Sequence, residues 1–142
     1  MVSTTVVCSI YIHARDETRE AKTLQWYNGI TQSAGEPFKL WLINDASDKD
    51  LSPLLSTLKP RGYCKEIRFF DSKVREGKAK KLNQLLRIVD TKYVAVVDND
   101  VMLPKTWLVG CIRICDLHKM VLCGVLVEEH LPTGDIMTHH DH

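Results

Sequence analysis

Apolar and polar residues follow two alternating rhythms along this chain, one suited to strands and the other to helices. Thr5 to His13 (TVVCSIYIH) is a β-branched apolar run long enough for a buried strand. Asp16 to Ser33 then spaces Ala21, Leu24, Tyr27 and Ile30 three residues apart, which predicts a helix. Asp16 or Thr18 caps its start, and Gly35-Glu36-Pro37 punctuates its end. Phe38 to Ile43 (FKLWLI) reads as a second strand, Asn44 to Asp48 as a polar turn, and Leu51 to Leu58 as a short helix before the breaker Lys59-Pro60-Arg61-Gly62. Glu66 to Phe70 gives a third strand. Leu82, Leu85, Leu86 and Val89 form an i, i+3, i+4, i+7 stripe, so Lys78 to Val89 is expected to be helical. Lys92 to Val97 is a fourth strand, and Pro104 opens a helix reaching about Leu117. Met120 to Glu129 gives a fifth strand, which Leu131-Pro132-Thr133-Gly134 turns into a hairpin through Asp135 to His139.

Repeated β-α-β units imply an α/β fold: a Rossmann-like, mostly parallel sheet with helices on both faces and a C-terminal hairpin. In such sheets the ligand site lies beyond the carboxyl ends of the strands, where the strand order reverses. Three polar clusters fall at that edge: His13-Ala14-Arg15-Asp16, Asn44-Asp45 and Asp98-Asn99-Asp100.

Charge narrows the function classes. The chain carries 19 basic and 18 acidic side chains for a net charge of +1, with 44% apolar residues. That balance, without aromatics interleaved among the basic residues, argues against nucleic-acid binding. Apolar runs are too short to span a bilayer, and the first residues show no basic n-region or cleavage pattern. The expectation is one cytoplasmic domain over residues 1–142. Five cysteines without CxxC spacing make no disulfide framework. Cys111, Cys115, His118 and Cys123 have a spacing that can bind zinc, but their strongly apolar surroundings favour buried thiols.

Asp98 and Asp100 carry the sharpest chemical signal. In an extended segment, side chains at i and i+2 face one way, about 7 Å apart along the strand. Two hard oxygen donors so placed suit Mg²⁺ or Mn²⁺ with a substrate diphosphate completing the shell. The plain alternative is a pair of acids at the start of the next helix. Lys73, Arg75, Lys78, Lys80 and Lys81 crowd around Gly77 where a helix opens, which favours phosphate or forms a solvated helix face. Asp45 ends a strand, where a carboxylate accepts a base N–H or a ribose hydroxyl, or else makes an Asx turn.

Taken in order, VVCSIYIHARDE, LINDASD, GKAKKLN and YVAVVDNDVMLP resemble family 2 glycosyltransferases of GT-A fold, over nearly the whole chain. The resemblance implies the half of such an enzyme that binds a nucleotide-diphosphate sugar, a UDP-sugar being favoured. It implies that His13, Ala14 and Arg15 line the nucleotide pocket, that Asp45 contacts the base and that Lys78 lies near the nucleotide. Asp98 would meet ribose or metal-bound water, and Asp100 would ligate Mn²⁺ or Mg²⁺. Asn44 and Ala46 depart from the usual Asp-Asp-Gly-Ser turn, and Ala14-Arg15 from the frequent Tyr-Asn.

Family members continue past the point matching His142 into an acceptor-binding half that holds the general base. Transfer of a hexose-type sugar to an acceptor hydroxyl needs such a base, and the late acids Glu128, Glu129, Asp135 and Asp141 lack motif support for it. His139, His140 and His142 read as a polar terminus or an added metal ligand. The other reading is therefore a non-catalytic nucleotide-binding module, or a half-enzyme that needs a partner subunit or a second copy. A haloacid-dehalogenase-type phosphatase would carry its Asp-x-Asp on the first strand. A phospho-accepting receiver would carry its acceptor on the third. The motif here follows the fourth.

Overall fold

The computed structural model describes residues 2–120, together with the backbone of the strands Val127–His130 and Ile136–His139. Among the described residues the elements are, in order, β1 (Thr4–Ile10), α1 (Arg19–Ser33), β2 (Phe38–Asp45), α2 (Ser52–Thr57), β3 (Cys64–Ser72), α3 (Lys78–Leu86), β4 (Tyr93–Val96), α4 (Trp107–His118), β5 (Val127–His130) and β6 (Ile136–His139). They fall into two compact units, Met1–Leu108 and Val109–His142.

The first unit is built on a parallel four-stranded sheet in the order β3-β2-β1-β4. The chain steps outward from β1 to β3, then returns to place β4 on the far side of β1. Order therefore reverses between β1 and β4. Right-handed crossovers put α1 and α2 on one face and α3 on the other. Period-two alternation sorts the core the same way. Val7, Trp41 and Ile43 pack with Leu82 and Leu85 of α3, joined by Phe70 and Val89. Val6, Cys8, Ile10, Phe38, Leu40 and Leu42 point to the opposite face and are equally buried. That two-sided burial explains why β1 and β2 read as continuous apolar runs.

Several element ends differ from their sequence expectation for identifiable reasons. β1 stops at Ile10 because the Ile12 N–H donates to Ser47 Oγ (2.9 Å) and the Ile12 carbonyl accepts from the Asp48 N–H (3.0 Å). The chain past Ile10 is tied to the loop after β2 instead of to a neighbouring strand. β2 runs on through Asn44 and Asp45, which pair with Asp71 and Ser72 of a β3 longer than expected. The turn begins only at Ala46, whose φ is 52°. α3 ends at Leu86, although Val89 keeps its place against the core. Pro104 lies outside α4, and Thr106 with φ 59° precedes the first helical turn.

In the second unit, β5 and β6 pair antiparallel from Val127↔His139 to His130↔Ile136, as the hairpin expectation required. The start of the expected fifth strand at 121–126 and the turn at 131–135 lie outside the described residues, as do Cys123, Asp141, His140 and His142. Among the described residues, no helix is long and apolar enough to cross a membrane.

The turn before β3 packs closely on α1. Gly62 has φ 55°, and a Cβ there would collide with the Thr31 carbonyl oxygen, which accepts the Tyr63 N–H at 2.8 Å. Gly62→Ala should therefore cost about 2 kcal/mol or more, read as a lower urea midpoint at unchanged m-value. An unaltered midpoint would contradict this packing.

Candidate functional site

At the reversal point, β1 and β4 release their chains side by side. The Val97 N–H donates to the Val7 carbonyl (3.1 Å), after which Asp98 leaves the ladder and Asn99-Asp100 form a turn. The two carboxylates are thus placed by a turn and not by the pleat of an extended strand, which corrects the sequence expectation. Asn99 sets that turn: its Nδ2 donates to Thr23 Oγ1 (3.0 Å), and the Thr23 hydroxyl donates to the Arg19 carbonyl (2.9 Å). Thr23 is fully buried, so the first turn of α1 and the Asp-Asn-Asp turn share one anchor.

Each carboxylate of the turn meets a different cation. Lys78 at the start of α3 pairs with Asp98. Arg19 at the start of α1 pairs with Asp100 (Nη1 to Oδ2, 3.0 Å) and reaches Asp16 (Nε to Oδ2, 3.6 Å). Of the two expected caps, Thr18 directly precedes α1 without a side-chain cap bond, and Asp16 holds the helix start instead: its Oδ1 accepts the N–H groups of Thr18 (3.0 Å) and Arg19 (2.9 Å). Those bonds, the Thr18 amide foremost, hold its carboxyl below the ordinary value. Both acids of the turn remain about half exposed (48% and 47%), within reach of a ligand.

Asp45 is committed to backbone partners. It is 2% exposed, and its two oxygens accept the N–H groups of Glu76 (2.9 Å) and Gly77 (3.0 Å). The carboxylate thereby grips the loop that leads into α3, where Gly77 takes φ 91°. The Asx-type turn belongs to Asn44, whose Oδ1 accepts the Ser47 N–H (2.9 Å). Below this loop, Lys81 is 1% exposed and donates to Glu76 Oε1 (2.7 Å) and Ser72 Oγ. Lys80 pairs with the other Glu76 oxygen at 2.7 Å. These two lysines, Lys80 first, pull the Glu76 carboxyl down to about 2.

The loop after β1 is organised by Asp48, whose Oδ2 accepts from the Tyr11 hydroxyl (3.0 Å) and the Ala14 N–H (3.2 Å). Both bonds, the Ala14 amide first, lower the Asp48 carboxyl. His13 lies 3.8 Å from the same oxygen and accepts the Arg15 N–H at Nδ1 (3.1 Å). The Arg75 guanidinium lies over the Tyr11 ring, 3.7 Å from its centroid. A shallow open groove of about 570 Å³ lies beyond β2 and β3, lined by Asn44, Ser47, Asp48, Asp71 and Lys73 among others; Asp98 and Asp100 do not line it.

The structure thus joins Lys78 to Asp98, keeps His13 and Ala14 around Asp48, and gives Asp45 to the backbone before α3. Sequence reasoning missed the roles of Arg19, Thr23, Asp48 and Glu76, named Asn99 only as part of its cluster, and gave Lys81 to a phosphate-attracting face where the structure buries it against Glu76. Asn99 carried a readable signal, since an amide flanked by two acids at a strand end is a natural turn anchor. Arg19 carried none, because only the packing of α1 brings it to Asp100. Among the described residues, no three His, Cys, Asp or Glu side chains gather to hold a metal ion. Two carboxylates with hard oxygen donors fit Mg²⁺ or Mn²⁺ only where substrate oxygens or water supply the remaining ligands.

The family model for glycosyl transferase family 2 matches residues 6–141. No curated protein sequence matches the chain. Among solved structures, the fold is similar to the crystal structure of S. aureus TarS, with TM-score 0.63, 20% identity, and coverage of 84% of this chain and 20% of that one. It is likewise similar to S. aureus TarS 1-349, with TM-score 0.63, 19% identity, and coverage of 84% and 33%. The chain therefore spans between a fifth and a third of those proteins.

The Glu76 cluster makes a pH prediction. A carboxyl lowered from 4.5 to about 2 adds stability that is fully present above pH 4.5 and is lost as pH falls toward 2. Wild type should accordingly melt higher than Glu76→Gln near neutral pH, with the gap closing across that acid window. A gap independent of pH would refute the assignment.

Proposed function

Because the chain belongs to glycosyl transferase family 2, we propose that it supplies the donor-binding side of a glycosyltransferase. In this reading it holds a nucleotide-diphosphate sugar, a UDP-sugar being favoured, together with Mn²⁺ or Mg²⁺. The sugar, of hexose type, passes to an acceptor hydroxyl. The observation that carries this reading is the meeting of the Asp98-Asn99-Asp100 turn with Lys78 and Arg19 at the point of strand-order reversal, where open α/β sheets bind ligands.

Each residue then has a role that its surroundings support. Asp100 and Asp98 hold the ion, with Asp98 also meeting the ribose. Once bound, such an ion supplies charge stabilisation for the departing diphosphate. Lys78 stands beside Asp98 and sets its ammonium against the diphosphate. The His13-Ala14-Arg15 loop, fixed by Asp48, lines the nucleotide side. Asp45 serves the base end by fixing the loop before α3.

Thermal unfolding with UDP, GDP, TDP and CDP, each with and without Mn²⁺, tests the proposal. Ligand at about 100 times its dissociation constant adds about 2.7 kcal/mol, a clear rise in midpoint. The expected result is a rise that needs both Mn²⁺ and one diphosphate and disappears in Asp100→Asn, whose own midpoint stays near that of wild type. Metal-dependent stabilisation that survives in Asp100→Asn would overturn the site assignment.

A further inference from the structure

Arg19 is the residue at this site that no motif pointed to, and its environment is specific. It leaves the first turn of α1, its own carbonyl is held by the Thr23 hydroxyl, and Thr23 also holds Asn99 between the two acids. The guanidinium is therefore presented to Asp100 by a fixed backbone, with one nitrogen 3.0 Å from Asp100 and another 3.6 Å from Asp16. A guanidinium spanning two carboxylates is a strong pair in geometry, yet here it stays about one-third exposed and open to exchange.

Local charge makes that exchange balanced. Three carboxylates (Asp16, Asp98 and Asp100) face two cations (Arg19 and Lys78), leaving one negative charge in excess. A divalent ion adds two positive charges, and the two phosphates of a nucleotide-diphosphate sugar bring two negative ones. Joint arrival leaves the balance unchanged. Arrival of the ion alone sets it against Arg19 for the same Asp100 carboxylate.

Resting on the donor-site reading above, we propose that Arg19 is an exchangeable counter-ion. Its guanidinium pairs with Asp100, and it transfers to the diphosphate when Asp100 turns to the metal. In this role Arg19 opposes metal alone and favours metal with diphosphate, so the site selects the complete donor complex. It is a binding and positioning residue, with no part in proton transfer.

Two titrations by calorimetry separate the effects: Mn²⁺ alone, and the most stabilising of the four nucleoside diphosphates at saturating Mn²⁺. Arg19→Gln should bind Mn²⁺ alone about three- to fivefold more tightly, the size of a lost surface ion pair. It should bind the diphosphate about tenfold more weakly, the size of a lost charged hydrogen bond. Arg19→Lys, which keeps charge without the two-pronged reach, should fall between wild type and Arg19→Gln in both titrations. Circular dichroism and the melting midpoint establish that both variants are folded. Affinities moving in the same direction, or diphosphate affinity unchanged, would overturn the counter-ion role while leaving the donor site standing. Failure of wild type to bind any of the four diphosphates at saturating Mn²⁺ would overturn the donor-site reading itself.

Discussion

The hydrogen-bonding of β4 along the outer side of β1 is the constraint from which the rest of this molecule follows. Once β1 is paired on both sides, its backbone polar groups are satisfied within the sheet and its side chains can be apolar on both faces. The same pairing sends the ends of two strands out at one point with their carbonyl ends parallel. The ladder closes with Val97 on Val7, and the next three residues are Asp98, Asn99 and Asp100. Polar chemistry appears at the first residue that the sheet no longer claims.

Two anchors convert that opening into a defined surface. Thr23 is the first: a β-branched hydroxyl in the interior of α1 that donates one way and accepts the other, so the helix and the turn cannot shift independently. Around Asp45 lies the second. Its buried carboxylate satisfies two backbone amides at the left-handed Gly77, while Glu76 is neutralised from both sides by Lys80 and Lys81. A lysine as buried as Lys81 would be strongly unfavourable without partners, and Glu76 and Ser72 supply them. The loop before α3 is held by charge-assisted bonds in place of apolar packing, which suits a segment that must remain at the surface and still hold one shape.

The sheet and the order of its elements were legible in the sequence because they depend on burial, and burial writes itself as runs and periods. Strand ends were less legible. The expected strand through His13 is cut at Ile10 by Ser47 and Asp48, residues more than thirty positions away. Residue type and spacing single out Asp98 and Asp100, but the extended i, i+2 pair that the spacing predicts is a turn in the structure. Residue identity survives such an error, since a hard oxygen donor remains one in either backbone shape.

Charge was the least readable feature, and the basic run from Lys73 to Lys81 shows why. As a string it suggests a single phosphate-attracting face. Folded, its members part company: Arg75 stacks on Tyr11, Lys78 turns to Asp98, Lys80 and Lys81 close on Glu76, and Lys81 is withdrawn from solvent altogether. The cation that faces Asp100 comes instead from α1, eighty-one positions away in sequence. The run crosses from the loop before α3 into its first turn, so its members reach Tyr11, Asp98 and Glu76 separately, while one distant residue completes the cluster at Asp100. The electrostatics of this site therefore belong to the packing of α1 and α3 against the sheet, and not to any single segment of the chain.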